Sequence, residues 1–288
     1  MIKFSQRRNL RAPSLIATIF AALLGGPLPV SAEPQHELAV CADPGNLPFS
    51  NDKLEGFENK IASLIAADLR TTLRYEWRVQ RRDFLRRTLL SGACDVVMGV
   101  SAGLPGVSVT RPYYTSTYVF VSVRKRKLQL GSFDAPALKN LKIGLHAIAA
   151  EGSNTPPARA LAKRGIVDNI VGFSMWGEEN VADPQARIIT AVATGEIDTA
   201  VVWGPFAGYF AKRHGNRLVV TPVEADPQTP SFAFVYEISL GVRDGDDLLK
   251  EKLQDVLDRR KSDIEAILNE YAVPLVAGQA RSSALTRH

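Results

Sequence analysis

The sequence predicts an α/β protein of two lobes joined by two crossing strands around a hinged cleft. Three observations carry that reading. Short apolar runs alternate with helix-period segments from residue 37 onward. The alternation breaks off near residue 114 and restarts at Leu141. Two long strand-like stretches, 114–124 (YTSTYVFVSVR) and 231–242 (SFAFVYEISLGV), bracket the second block. Alternating strands and helices pack as layers with right-handed crossovers. A block inserted between two crossing strands leaves a cleft that can hinge.

The elements follow in order. ELAVCA at 37–42 is a strand that ends in the loop signature Asp43-Pro44-Gly45-Asn46. Phe57, Ile61, Leu64 and Ile65 recur at helical spacing, so 57–69 is a helix. Residues 73–79 form a second strand, and 82–90 a helix stopped by Gly92. DVVMGV at 95–100 is a near-continuous apolar run, as in a parallel strand covered on both faces. In the second block, 141–146 is a strand and 157–163 a helix with proline in its first turn. A helix from Asp183-Pro184 to Gly195, a buried strand at 198–203 and a helix at 205–213 follow. Residues 244–271 hold one or two amphipathic helices. The domain expectation is therefore 33–119 plus 232–288 for lobe 1 and 120–231 for lobe 2, with hinge strands near 114–124 and 231–242.

The first 32 residues read as a signal peptide. A basic segment precedes LIATIFAALL, an apolar stretch of about ten residues, short of the ~20 a membrane helix needs. Val30-Ser31-Ala32 offers a cleavage site, so the mature chain is expected in the periplasm, with no stable membrane insertion after cleavage. The chain carries 35 basic and 30 acidic residues, a net charge of +5. Without Lys3, Arg7, Arg8 and Arg11 the balance is 31 against 30, which leaves no global field for nucleic acid. His36, His146, His214 and His288 are scattered, so no metal and no cofactor is expected.

Five segments resemble one known family over nearly the whole mature length. They are DPGNLPF (43–49), EGFENKI (55–61), GACDVVMG (92–99), RPYY (111–114) and GEIDTAVVWGP (195–205). The chain is thereby identified as a member of the family 3 periplasmic solute-binding proteins, with the type II periplasmic-binding-protein fold. The wording CADPxNLPFSN, EGFENKI and CDVVMG is similar to the branch associated with quinoprotein (PQQ) dehydrogenases. That branch includes the J-type accessory proteins of methanol dehydrogenase operons. The resemblance implies a non-enzymatic accessory binding protein whose partner is a PQQ-dependent methanol or alcohol dehydrogenase subunit. A role in maturation or assembly follows. The alternatives are an ABC-transporter receptor for a small non-amino-acid ligand and an enzyme on the same fold, such as the cyclodienyl dehydratases.

Amino-acid binders of the family hold their ligand with an arginine after the third strand and an acid at the end of a late strand in the second lobe. The first position falls at Gly103 and the second at Trp203 or Gly204, so both ionic anchors are missing. A buried zwitterion without partners costs several kcal/mol, and free amino acids are not expected as ligands. The cleft is instead expected to be lined by Asp43, Phe49, Ser101, Tyr114 and Trp203, with Arg111 either replacing the lost arginine or leaning on the hinge strands. Tyr113 and Tyr118 lie nearby. His146 and Glu151 are the only side chains placed for acid–base work, and neither shows a partner.

Cys41 and Cys94 flank adjacent strands. With aligned strands at ~3.3 Å per residue they lie roughly 13 Å apart, too far for a disulfide. Two buried free thiols are the expectation, and a register shift is the alternative. The arginines at 78, 81, 82, 86 and 87, like the run 124–127, fit either a solvated face or a patch for an acidic partner. Asp244-Gly245-Asp246-Asp247 reads as a turn and helix cap rather than a calcium loop.

Overall fold

The computed structural model describes residues 37–147, 155–175, 183–231 and 233–276. The strands are β1 (Glu37–Ala42), β2 (Gly45–Asn46), β3 (Ser50–Asn51), β4 (Thr72–Trp77), β5 (Val96–Val100), β6 (Val107–Val109), β7 (Tyr114–Val123), β8 (Ile143–Ala147), β9 (Ile170–Ser174), β10 (Thr199–Trp203), β11 (Leu218–Pro222) and β12 (Val235–Arg243). The α-helices are α1 (Phe57–Leu69), α2 (Phe84–Arg87), α3 (Pro156–Lys163), α4 (Arg187–Thr194), α5 (Gly204–Lys212), α6 (Asp247–Arg259) and α7 (Lys261–Glu270). The strand order is β4-β1-β5-β12-β7-β10-β8-β9, with β6 on β12 and β11 on β7.

Each lobe is built on a parallel trio. In the first, β1 pairs with β4 and β5, all parallel. Side-chain alternation sends Leu38, Val40 and Ala42 to one face, against α1, α6 and α7, and Ala39 and Cys41 to the other, against Phe84 and Leu89. β5 divides likewise, Val96 and Met98 from Val97 and Val100. A strand buried on both faces must be apolar throughout, which is why ELAVCA and VVMGV are legible as strands. In the second lobe β8 pairs in parallel with β9 and β10. Val119 and Val121 of β7 face α4 and α5, while Phe120 faces Phe133 and Leu161. Behind that second face, Arg164 bonds Asp226 at 2.7 and 2.9 Å and holds its carboxyl down at about 2.

The two long strands make the crossing. The first residues of β7 pair with Val235–Ile238 of β12 in antiparallel fashion. Beyond that, β7 runs into the second lobe between β10 and β11. β12 runs the other way, into the first lobe, between β5 and β6. β12 starts at Val235, four residues later than the sequence suggests, and β6, β9 and β11 carry no pattern strong enough to have been anticipated.

Two further expectations are corrected. The helix expected at 82–90 is only α2, four residues long. The chain leaves helical geometry at Thr88, whose hydroxyl donates to the Phe84 carbonyl, and Leu89 is thereby fully buried. Cys41 and Cys94 form a disulfide, with Cα atoms 5.5 Å apart. The strand register does set Cys41 opposite Val97, three residues past Cys94. But Cys94 is not on the strand axis. The Ala93 N–H donates to the Thr88 carbonyl and the Asp95 N–H to the Ala39 carbonyl, so the chain turns across the face that Ala39 and Cys41 share.

Candidate functional site

The cleft begins in the loop after β1. Asp43 is buried, and its two carboxylate oxygens accept the backbone N–H groups of Gly45 (2.9 Å) and Gln80 (2.6 Å). It therefore acts as a clasp that shapes the loop. Ser50 Oγ donates to the Asp43 carbonyl at 2.8 Å and closes the β2–β3 turn. That turn delivers Phe49, whose ring tilts onto Phe57 at 5.4 Å. The Phe49 carbonyl accepts the Glu58 N–H at 2.9 Å at the start of α1. The approach requires glycine at Gly56, because a Cβ there would sit 2.0 Å from the Phe49 carbonyl oxygen.

These elements and the crossing strands enclose a cavity of about 410 Å³. Phe49, Phe84, Tyr114, Tyr118, Trp203 and Tyr236 give it six aromatic rings. Tyr118, Trp203 and Tyr236 pack edge to face, with centroids 5.6, 5.7 and 6.4 Å apart. Burial pushes the Tyr118 phenol up to about 12. Tyr114 rests edge-on against Phe57 at 6.0 Å, and burial raises its phenol well above the usual value. Two ionisable carboxyls, those of Asp43 and Glu58, and, among the described residues, no basic side chain line the cavity.

Glu58 is the residue that sequence reasoning missed. It lies in the first turn of α1, where an acid ordinarily does no more than favour the helix dipole. Here its carboxyl lies against Gly99 of β5, so closely that a Cβ at that glycine would meet Glu58 Oε1 at 2.4 Å. Burial pushes it up to about 8. No side-chain hydrogen bond or ion pair holds it among the described residues. EGFENKI was legible as the entry to a helix, but nothing in it says that position 99 makes room for the acid.

A second opening, on the other side of Asp43 and Trp203, is lined by Val79, His146, Met175, Gln185 and Phe206 among others. His146 sits edge-on to Phe206 at 4.8 Å, with Nε2 3.3 Å from the Gln185 carbonyl. Burial lowers it to about 4, so the ring is neutral at physiological pH. Gln185 Nε2 in turn donates to the Leu47 carbonyl at 3.2 Å, which ties the two lobes together beside the opening.

Of the residues expected in the cleft, Asp43, Phe49, Ser101, Tyr114 and Trp203 line the main cavity and His146 the second opening. Arg111 does not. Its guanidinium pairs with Asp258 of α6 on the surface, and its N–H donates to Gln254 Oε1 at 2.7 Å, so it replaces no ligand anchor. Glu151 lies outside the described residues, as does the expected signal peptide. Gly103 sits in an open loop at φ +92°, with no atom within 4 Å of where a Cβ would be. Tyr113 is turned away and donates to the Met98 carbonyl at 2.8 Å. In the basic clusters, Arg87 pairs with Asp83, Arg126 with Asp198, and Arg124 donates to the Asn216 and Leu218 carbonyls. Asp244 accepts from Ser108 Oγ at 2.8 Å, and Asp246 precedes α6. Among the described residues no group of three His, Cys, Asp or Glu is placed to hold a metal, and no helix is long and apolar enough to cross a membrane.

The architecture and the sequence point to the same relatives. Residues 38–273 match the bacterial extracellular solute-binding proteins, family 3. The chain belongs to that family. It is 30% identical over 251 residues to Protein MoxJ of Methylorubrum extorquens, a match that covers 83% of this chain and 81% of MoxJ. It is 28% identical over 253 residues to Protein MoxJ of Paracoccus denitrificans, covering 83% and 89%. The solved structure of periplasmic binding protein XoxJ from Methylobacterium extorquens AM1 superposes with a TM-score of 0.69 at 37% identity, covering 84% of this chain and all of that one. Among the described residues the cavity offers an α-carboxylate no cation to pair with.

Proposed function

We propose that this protein is a non-enzymatic periplasmic accessory protein of a PQQ-dependent methanol or alcohol dehydrogenase, acting in its maturation or assembly by binding a dehydrogenase subunit. The likeness to MoxJ and XoxJ over more than four-fifths of the chain carries this reading. The cleft supports it, since its described lining is rich in aromatic side chains and offers no cation to an α-carboxylate. Export with cleavage near Ala32 belongs to the same proposal, and so does the division into lobes at 33–119 plus 232–288 and at 120–231. Within the cleft, Phe49, Ser101, Tyr114 and Trp203 are the proposed contacts, with Asp43 shaping the loop. The enclosed cavity favours a second reading, an ABC-transporter receptor for a small ligand that is not an amino acid.

Trp203 separates partner binding from packing. It is half-buried at the end of β10, against Tyr118 and Tyr236 and on both openings. Interface energy concentrates in such aromatics, often about 2 kcal/mol each. Trp203→Ala is therefore expected to weaken binding to the purified dehydrogenase roughly thirty-fold while the melting temperature of the isolated protein barely moves. If the ring is chiefly core, truncation instead costs about 3–5 kcal/mol of stability. Unchanged affinity together with a large drop in melting temperature overturns the contact.

A further inference from the structure

The carboxyl of Glu58 has no use in the packing of the first lobe. It is a half-buried acid on the wall of a cavity of mixed polar and apolar lining, and an acid held there without a partner costs free energy. Hydroxyl groups such as those of Tyr114 and Ser101 line the same cavity, but among the described residues no side-chain hydrogen bond reaches the carboxyl. Gly99 supplies the space: with any side chain at that position of β5, the carboxyl would have to move. The titratable groups near it are Tyr75 of β4, Tyr114 of β7 and, just before β7, Tyr113, whose hydroxyl donates to the Met98 carbonyl. Burial raises all three phenols, so they stay neutral from pH 6 to 9. On α1 itself, Lys60 is drawn away to Glu270 and the ring of Tyr271. Across the cavity, Asp43 is engaged by backbone N–H groups. Among the described residues, the ionic side chain left without a partner in the cavity is thus an acid, among six aromatic rings.

Aromatic rings and a carboxylate in one enclosure suit a single kind of guest. The ring quadrupole attracts a weakly hydrated cation, and a desolvated carboxylate pairs with it. A carboxylate-bearing guest would find no cation to pair with among the described lining residues, and a neutral one would supply no counter-ion to an ionised Glu58. We propose that the cavity is a binding site for an organic ammonium group that carries no carboxylate, with Glu58 as its counter-ion and Tyr114, Tyr118, Trp203 and Tyr236 as its aromatic lining. This goes beyond the accessory role and stands whether or not a dehydrogenase is the partner. The ammonium could come from a free alkylammonium or from a lysine side chain, and the cavity of about 410 Å³ has room for the free ion. Binding is coupled to ionisation. Glu58 must release its proton before it can pair, so the apparent affinity scales with its ionised fraction.

The test is calorimetry on the mature protein with choline and its neutral isostere 3,3-dimethyl-1-butanol. Choline is expected to bind at least tenfold more tightly than the alcohol. Its affinity is expected to rise roughly tenfold from pH 6 to pH 7, as a group titrating near 8 requires. Titration in two buffers of different ionisation heat is expected to show close to one proton released per choline at pH 6.5. Glu58→Gln is expected to abolish both the proton release and the pH dependence. Gly99→Ala, which displaces the carboxyl, is expected to weaken choline at least tenfold. Nα-acetyl-lysine methylamide is the arm for a protein-borne ammonium, and tighter binding than choline would assign the site to a partner's lysine. Equal binding of choline and the alcohol, no proton release, or no choline binding by the wild-type protein up to 10 mM, a chosen ceiling of about −3 kcal/mol, overturns the proposal. All three are read on the wild-type chain, so a variant that fails to fold does not spare it.

Discussion

Removing the disulfide is expected to cost the first lobe about 4 kcal/mol. Cys41 and Cys94 are 53 residues apart, and the loop they close contains α1, β4 and α2. The chain-entropy relation for a closed loop of that size amounts to about 14 cal/mol/K, or about 4 kcal/mol at 25 °C. Both sulfurs lie in a small core with Phe84, Leu89 and Val97, and the two residues are 3% and 0% exposed. The double variant Cys41→Ala/Cys94→Ala also leaves a void there, which adds to the loss rather than offsetting it. For a domain of this size the melting temperature should fall by about 10 °C. Equilibrium unfolding in urea, followed by circular dichroism, reads the difference directly. The same experiment on the wild type with reductant should approach the variant only when unfolding exposes the bond. A loss under about 1 kcal/mol would refute the reasoning, since it would mean either that the thiols are unpaired in the native protein or that the unfolded chain is not constrained by the link.

Three further outcomes follow from the cleft. Calorimetry with glutamine, glutamate, arginine and histidine should show nothing tighter than about millimolar, and a micromolar Kd, about −8 kcal/mol, would mean that another group replaces the lost anchors. His146, lowered by burial to about 4, should show no titration of its ring protons by NMR between pH 5.5 and 8; a midpoint near 6.5 would place the ring in water. Glu58 is raised from 4.5 to about 8 in the fold, so its contribution to stability is full below the unfolded value and is lost as pH rises through the folded one. Stability should therefore decline between pH 5 and 9, by up to about 4 kcal/mol, and Glu58→Gln should flatten that part of the profile measured by urea unfolding.

Much of this protein is written in local pattern. Phe57, Ile61 and Ile65 mark α1 to the residue, because a helix buried along one face must repeat its apolar side chains every three or four positions. VVMGV and TAVVW declare β5 and β10, because strands covered on both faces have no room for polar side chains. Gly103 and Trp203 stand where the resemblance expects the amino-acid anchors, and a charge that is not encoded cannot be supplied by folding. Tertiary structure alone decided the rest. Cys94 meets Cys41 because the chain turns before β5, a change of direction that strand spacing does not contain. Arg111 is spent on Asp258, a partner 147 positions away. The character of Glu58 depends on what surrounds it: Gly99 of β5, Tyr75 of β4 and Tyr114 of β7, with no cation beside it among the described residues. Each of these sits on a different element, and desolvation is a property of neighbours brought together by the fold, not of the residue that bears the charge.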